Sequence, residues 1–126
     1  MKFGHWEYNG DLDTTAFGFL YLITNTANNR KYVGIKQFSF KRGKRRVPSG
    51  WQDYTGSSKW LNDDISKLGI NKFNFIILGT YKDKPSLKYA EAKFIIENDC
   101  LYSRDWYNQF IGLKLKVSKE KFSQIN

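Results

Sequence analysis

One stretch near the N-terminus, residues 17–34, constrains the fold more than any other. Its first part, 17–24 (FGFLYLIT), is apolar at both odd and even positions, which is typical of a strand covered on both faces. Residues 26–29 (TANN) supply turn chemistry, because asparagine tolerates a positive φ. Residues 30–35 then return as a partner strand. The stretch therefore predicts a β-hairpin whose first strand is a central strand of a sheet.

The length of the turn decides whether the two tyrosines of this hairpin share a face. A loop of two or four residues places Ile23 opposite Tyr32. Since side chains two apart on a strand point to the same side, Tyr21 and Tyr32 then lie on one face. A three-residue loop would separate them. Cross-strand aromatic packing is one explanation for such a pair, and a shared chemical site is the other.

The rest of the pattern predicts two helices and one more strand. Ser57 or Ser58 can cap a first helix, and residues 72–80 alternate in polarity as a third strand. After Pro85, Ser86 is predicted to cap a second helix. These elements predict an α+β fold, in which a small, mostly antiparallel three-stranded sheet is flanked by helices.

The length of the chain and the lack of repeats or linkers predict a single domain over 1–126. Residues 1–15 are polar and mixed in charge, without the pattern of a signal peptide, and we expect an arm that packs locally. Residues 113–126 contain four lysines and are predicted to form a basic C-terminal extension.

The charge balance favours a polyanion as partner. The chain has 21 Lys and Arg against 12 Asp and Glu, a formal net charge of +9 at pH 7. Such a balance is typical of proteins that bind DNA, RNA or an acidic membrane surface, and it does not separate them. Because the apolar run near the N-terminus is far shorter than the roughly 18 to 20 residues that span a bilayer, we expect a cytoplasmic protein.

The counts of cysteine and histidine restrict the metal chemistry. Cys100 is the only cysteine and His5 the only histidine. An internal disulfide, a thiolate zinc cluster and a histidine-rich metal site are therefore excluded. Any metal must be held by carboxylate and phosphate oxygens, which favours Mg²⁺ or Mn²⁺.

A basic segment follows the hairpin. Residues 36–46 (KQFSFKRGKRR) contain six basic residues in eleven positions, interleaved with Phe38 and Phe40. One interpretation is a solvated basic loop or a localisation signal, and the other is a segment that grips phosphates.

The second helix places a carboxylate among apolar side chains. Glu91 is predicted to lie on one face of this helix together with the apolar residues Leu87, Ala90, Phe94 and Ile95, because these positions follow the helical spacing. A carboxylate on a core-facing stripe costs on the order of several kcal/mol unless it is paired, protonated or bound to a metal. Glu91 is therefore either at the edge of the stripe, paired with a nearby Lys or Arg, or part of a functional site.

Five sequence elements in order resemble one known family. They are GFLY at 18–21, YVG at 32–34, an arginine eight residues later at Arg42, Glu91 in a later helix, and the pair at 107–108 (YN). Together they resemble the GIY-YIG nucleases. The first motif departs from the family pattern, because its glycine is displaced by one position.

Three longer segments narrow the resemblance to the small stand-alone GIY-YIG proteins of phages. These segments are KYVGIK at 31–36, WQDYTGSS at 51–58 and YAEA at 89–92. The resemblance covers residues 17–112. Where many members carry a histidine or tyrosine one helical turn after the arginine, this chain has Arg46.

The resemblance implies hydrolysis of phosphodiester bonds with one metal ion. Glu91 would hold the Mg²⁺ or Mn²⁺, and Arg42 would neutralise a non-bridging oxygen. Tyr21 would accept the proton of the attacking water, and Tyr32 would orient the water or the phosphate. Because a tyrosine has a pKa near 10, cations, Lys36 among them, would have to favour the phenolate.

The resemblance and the basic segment together imply further residues at the site. Asn108 would brace the metal ligand or the phosphate. The catalytic arginine could also be Arg45 or Arg46. The residues predicted to bind DNA are Lys41, Arg42, Lys44, Arg45, Arg46 and Lys59.

The function expected from the sequence is that of a metal-dependent DNA endonuclease, phage-encoded and acting on double-stranded DNA in the host cytoplasm. The oligomeric state stays open, a dimer included. The alternatives are a catalytically inactive nucleic-acid-binding module of the same fold and an RNA-binding protein.

Overall fold

A computed structural model of the chain describes residues 1–111. Within this range no helix is both long and apolar enough to cross a membrane. The predicted C-terminal extension, 113–126, lies outside the described residues. The strands are β1 (Lys2–Phe3), β2 (Trp6–Glu7), β3 (Gly18–Asn25), β4 (Lys31–Gln37), β5 (Ser39–Arg42), β6 (Arg45–Pro48) and β7 (Phe73–Tyr81), and the α-helices are α1 (Lys59–Leu68) and α2 (Lys84–Glu97).

The main sheet has five strands, in the order β1-β2-β7-β3-β4. Strand β3 is antiparallel to both of its neighbours, β7 and β4. The α+β class and the mostly antiparallel sheet are confirmed, whereas the prediction of three strands is wrong. Strands β1 and β2 have two residues each, too few to show an alternating pattern.

The N-terminal residues belong to this sheet and do not form the locally packed arm that was expected. Trp6 pairs with Phe75 of β7, and its side chain is fully buried. The indole Nε1 donates a hydrogen bond to the backbone oxygen of Trp51, 2.8 Å away. The segment is therefore part of the core on which the rest of the fold packs.

The hairpin of β3 and β4 has the predicted register. Ile23 lies opposite Tyr32, and the amide of Asn25 donates to the carbonyl of Arg30 at 2.8 Å. Asn29, in the turn, has a φ of 62°. Apart from glycine, asparagine is one of the residues that adopt a positive φ most readily. The four-residue loop places both tyrosines on one face, as predicted.

Each face of the sheet carries its own apolar cluster. One cluster contains Trp6, Phe19, Tyr21 and Leu61 of α1. The other cluster lies under α2, and its buried residues are Leu20, Val33, Leu87, Ile95 and Cys100. The helices α1 and α2 therefore pack on opposite faces of the sheet.

The two helices begin at side-chain caps. Ser58 caps α1, as one of the two alternatives predicted, and its Oγ accepts from the amide of Leu61 at 3.2 Å. Helix α2 begins earlier than predicted, because Asp83 and not Ser86 is the cap, its Oδ1 accepting from the amide of Ser86 at 2.8 Å. Pro85 therefore lies inside the first helical turn, a position that tolerates proline.

The basic segment forms a β-hairpin, because β5 and β6 pair with each other and, within residues 1–111, with no other strand. The sequence predicted a loop or a phosphate-gripping segment there, without a strand pairing. Charges at successive positions hide the alternating apolar pattern that identifies a half-buried strand.

Candidate active site

A cavity of about 140 Å³ opens beside β4, where residues of several elements meet. We call it the central cavity. Four of the predicted site residues line it: Tyr21, Tyr32, Glu91 and Asn108. They come from β3, β4, α2 and the segment after α2, so the fold brings together residues up to 87 positions apart in the sequence. The volume is below the roughly 300 Å³ of ordinary cofactor pockets, which suits a hydrated ion or part of a phosphate.

Glycine at position 34 lets Tyr21 reach the central cavity. Tyr21 lies directly opposite Gly34 in the hairpin, and a Cβ on Gly34 would lie 2.5 Å from Cζ of Tyr21. Gly56, with a φ of 89°, approaches the same hydroxyl from the loop before α1. The phenol of Tyr21 is thus held between two backbone segments that carry no side chain there.

Gly18, the displaced glycine of the first motif, has a packing reason. A Cβ at this position would lie 2.9 Å from Cδ2 of Leu87 in α2 and would also meet the carbonyl oxygen of Lys36. Gly18 therefore permits the close approach of α2 to the sheet, and α2 carries Glu91.

Tyr21 is deeply buried, with 1% of its surface exposed. Burial, followed by the neighbouring Tyr32 and Tyr54, raises the pKa of Tyr21 well above its ordinary value. For Tyr21 to act as a base, as predicted, cations beside its phenol would have to favour the ionised form. The charged residue that acts on Tyr21 within 1–111 is Glu91, which raises the pKa further.

Tyr32 is held by Ser57, one of the two serines that were predicted as possible caps of the first helix. Its hydroxyl lies 3.1 Å from Oγ of Ser57, within hydrogen-bond distance. Burial raises the pKa of Tyr32, and the hydrogen bond with Ser57 lowers it. Because Ser58 caps the helix, its neighbour is free to serve the site.

Glu91 is half-buried, and within residues 1–111 it has neither a hydrogen bond nor a salt bridge. Burial raises the pKa of its carboxyl group, and the ammonium group of Lys88 partly offsets that effect. The pairing with a Lys or Arg that would have explained Glu91 structurally is therefore absent from the described part of the chain. A desolvated carboxylate that lines a polar cavity is a candidate ligand for a cation.

A hard divalent cation fits this donor set. Within residues 1–111 no group of three or more His, Cys, Asp or Glu side chains could enclose a metal ion, so Glu91 would be its carboxylate ligand. Mg²⁺ keeps several of its waters and is often held by one or two carboxylates together with substrate phosphates. Glu91 together with a phosphate oxygen of a bound substrate would meet that requirement.

Asn108 fixes the edge strand. Its Oδ1 accepts from the amide of Val33 at 3.0 Å, and its Nδ2 donates to the carbonyl of Val33 at 2.8 Å. Both ends of the side-chain amide are therefore occupied by the strand that carries Tyr32. The bracing role predicted for Asn108 would be exerted through β4 and not by contact with Glu91.

Two further cavities adjoin the central one and contain lysines. The first, of about 330 Å³, also includes Ile35 and is lined by Lys36, Lys84 and Lys88; we call it the lysine-rich cavity. The second, of about 200 Å³, is lined by Lys59 and shares four residues with the central cavity. Lysines therefore line both of the cavities that adjoin the central one.

Lys36 lies one aromatic ring away from Tyr21. Its Nζ is 4.3 Å from the ring centre of Tyr54, and the Tyr54 ring meets that of Tyr21 edge-on at 6.0 Å. Desolvation lowers the pKa of Lys36. The contact with the face of an aromatic ring favours the charged form.

The arginines of the basic segment do not line the central cavity. Arg42 and Arg45 face each other at the tip of the β5–β6 hairpin, and Arg46 lies on the other face, where its Nε donates to Oγ of Ser39 at 3.0 Å. All three are exposed. The catalytic role proposed for one of them stays a prediction, as do the roles of the other site residues.

Sequence reasoning missed several residues that the fold places at the site. Ser57 and Tyr54 contact the two tyrosines, and Lys84 and Lys88 line the lysine-rich cavity. The spacing of Lys84, Lys88 and Glu91 at i, i+4 and i+7 is the signal that could have placed both lysines near the carboxylate.

We expect the substitution Ser57→Ala to lower catalytic activity without a matching loss of stability. Removing the hydroxyl releases Tyr32 and raises its pKa, because the hydrogen bond that lowers it is lost. The matched control is Ser58→Ala, which should destabilise the protein by about 1 kcal/mol through loss of the helix cap. DNA cleavage rates and urea unfolding curves of both variants separate the two roles. Equal effects of the two substitutions on cleavage would contradict the assignment.

Comparisons with known proteins agree with this arrangement. Residues 4–111 match the family model described as "Putative endonuclease segE, GIY-YIG domain". The chain is 34% identical over 96 residues to "Putative endonuclease segB" of Enterobacteria phage T4, which is 76% of this chain and 39% of that protein. It is 31% identical over 96 residues to "Endonuclease segA" of the same phage, again 76% of this chain and 39% of that protein.

The chain thus spans well under half the length of these curated relatives. No solved structure matches it. The family model nevertheless covers the hairpin, α1, α2 and every residue that lines the central cavity. The chain therefore belongs to the GIY-YIG family of nucleases, as the sequence motifs predicted.

Proposed function

We propose that this protein is a metal-dependent endonuclease that hydrolyses phosphodiester bonds of double-stranded DNA. The observation that carries the proposal is the convergence of Tyr21, Tyr32 and the half-buried Glu91 on one cavity with lysines on both sides. Hydrolysis of a phosphodiester builds up negative charge on the phosphate and on the departing oxygen, so it requires positive charge and positioning above all.

Glu91, whose carboxylate lines the central cavity, would hold the divalent cation. The bound cation would stabilise the negative charge on the leaving 3′ oxygen. Lys88, whose charge partly offsets the rise that burial causes in the pKa of Glu91, favours the ionised carboxylate that this role requires. Lys36 and Lys59, in the two adjoining cavities, would receive the flanking phosphates.

Tyr21 and Tyr32 would handle the attacking water. Tyr21 accepts its proton only when bound positive charge offsets the burial that raises the pKa of the phenol. Tyr32, held by Ser57, orients the water or a phosphate oxygen by hydrogen bonding. The acceptor of the water's proton is therefore the Tyr21 phenolate, which forms when positive charge in the assembled complex lets the phenol release its own proton to solvent.

Incubation of the purified protein with supercoiled plasmid tests this proposal. We expect nicked or linear DNA with Mg²⁺ or Mn²⁺ and intact plasmid with EDTA. Tyr21→Phe should lower the rate by roughly 100-fold to 10,000-fold, the usual range for loss of a general base. Tyr102→Phe is the matched control, because Tyr102 is 88% exposed and should leave the rate unchanged.

Cleavage that continues in EDTA would contradict the metal dependence. Steeply salt-dependent DNA binding without cleavage under any divalent ion would contradict the nuclease and support the binding module of the same fold. One observation favours that alternative: within the described part of the chain, no arginine lines the central cavity.

A further inference from the structure

The hairpin of β5 and β6, residues 39–48, forms a two-stranded ribbon separate from the main sheet, which we call the basic ribbon. Its strands are joined by the two residues Gly43 and Lys44, and Gly43 has a φ of 62°. Residues 41–46 are all exposed, and five of these six are Lys or Arg. The ribbon therefore presents an almost uninterrupted cationic tip to solvent.

The charges of the basic ribbon oppose each other across the two strands. Lys41 lies directly opposite Arg46, and Arg42 directly opposite Arg45. Like charges at directly opposed positions destabilise a pair of strands, and a lone two-stranded hairpin is marginally stable by itself. Within residues 1–111 no carboxylate forms a salt bridge with these cations, and no Asp or Glu occurs in residues 36–52. The arrangement fits a polyanionic ligand, which residues 1–111 do not supply.

The base of the basic ribbon is anchored in the core. Phe38 is 3% exposed and packs against Phe19 and Trp51. The amide of Ser49 donates to the carbonyl of Phe38 at 3.1 Å, and Oγ of Ser49 donates to the carbonyl of Gln37 at 2.6 Å. The ribbon thus has a fixed origin at the end of β4, the strand that lines the central cavity.

The two faces of the basic ribbon differ. Because paired residues share a face and successive residues alternate, Phe40, Arg42 and Arg45 lie on one face. Lys41 and Arg46 lie on the other. Phe40 lines the lysine-rich cavity, so the face with Arg42 and Arg45 is the one continuous with the proposed site.

We infer that the basic ribbon enters the major groove of duplex DNA beside the cleavage site, with the guanidinium groups of Arg42 and Arg45 reading guanine edges. The inference rests on duplex DNA as the ligand of the proposed function. The major groove is about 12 Å wide and admits a two-stranded ribbon, and arginine binds guanine O6 and N7 with two hydrogen bonds. Arg42 and Arg45 face each other at the exposed tip, and each guanidinium group supplies the planar fork of donors that such reading requires.

The other face of the basic ribbon, with Lys41 and Arg46, would have a different role. Arg46 is held by Ser39, and Lys41 carries a point charge without the planar fork of a guanidinium. These two residues would contact phosphates along the groove wall and add affinity without base preference. An RNA duplex does not fit the same ribbon, because its major groove is deep and narrow.

Selection of bound sequences from random duplex DNA tests this inference. The experiment is performed in EDTA, so that binding is measured without cleavage. We expect the wild-type protein to enrich sites containing guanine at fixed positions. The variant with Arg42→Lys and Arg45→Lys should lose that preference by roughly 10-fold to 100-fold at one or two positions, because lysine keeps the charge and loses the bidentate contact.

Arg46→Lys is the matched control and should keep the preference of the wild type. The slope of log affinity against log salt on non-specific DNA should be equal for all three proteins, because their charges are equal. No enrichment by the wild type, or the same enriched sites in the double variant, would overturn the inference. Equal binding of double-stranded RNA would overturn it as well.

The outcomes distinguish this inference from the proposed function. A protein that selects sequences through Arg42 and Arg45 but cleaves no DNA would refute the nuclease and support the ribbon. A wild-type protein that cleaves DNA, and whose binding preference in EDTA is the same as that of the double variant, would support the nuclease and refute the ribbon.

Discussion

Replacing Glu91 by glutamine is expected to lower the rate of DNA cleavage by about 1,000-fold or more. Glutamine has nearly the same shape but lacks the charge that would hold a divalent cation in the central cavity. Loss of a single group that stabilises charge in the transition state lowers rates by roughly 100-fold to 1,000-fold, and loss of the cation removes a larger share. Single-turnover cleavage of a plasmid at saturating protein measures the effect.

The same substitution is expected to stabilise the folded protein at neutral pH. Burial raises the pKa of Glu91, so its ionised form is unfavourable in the folded state. This penalty is fully present above the raised pKa of the folded state and disappears as the pH falls below the ordinary pKa of a glutamate. The free energy of unfolding of Glu91→Gln should therefore exceed that of the wild type at pH 7, and the two should converge in acid.

Glu97 offers the control for both measurements, because it lies on the same helix, is exposed and pairs with Lys93 at 3.9 Å. Glu97→Gln should leave the cleavage rate unchanged and should not stabilise the protein at neutral pH. Full activity of Glu91→Gln would contradict the assignment of Glu91 as the cation ligand. A loss of stability at pH 7 would show that the carboxylate has a structural partner.

The sequence predicted those parts of the fold that local chemistry determines. The hairpin of β3 and β4 was predictable, since an apolar strand, an asparagine turn and a side-chain period of two specify its register. Ser58 was one of the two caps predicted for α1, because helix capping also depends on local side-chain chemistry. The strands β1 and β2 were not predictable, because two residues carry no period and their pairing depends on the burial of Trp6 against distant residues.

The candidate site divides in the same way. Tyr21 and Tyr32 could be placed on one face from strand parity, and Glu91 could be identified as an anomaly on an apolar helix stripe. The position of the arginines depends instead on tertiary structure. The basic segment pairs with itself and turns its tip to solvent, and no local pattern indicates that Arg42 would lie outside the central cavity.

Replacing Gly34 by alanine is expected to reduce both stability and activity, although alanine ordinarily suits a strand better than glycine does. The added Cβ would lie 2.5 Å from Cζ of Tyr21 and 3.0 Å from Cε2 of Tyr32. The ring of Tyr21 cannot retreat freely, because it is buried between Trp6 and the loop at Gly56. Overpacking of this kind costs about 1 to 3 kcal/mol.

The loss of activity should exceed what the loss of stability alone produces. A shift of about 1 Å in a reacting group can lower a rate by roughly 100-fold, and the clash displaces the phenol proposed as the base. Gly79→Ala is the matched control on β7, because its Cβ would lie 3.7 Å from Tyr81, an ordinary contact. Cleavage rates measured at a temperature where both variants are fully folded separate the effects. An active, fully stable Gly34→Ala variant would show that Tyr21 does not need the space above this glycine, and the glycine of the second motif would then require another explanation.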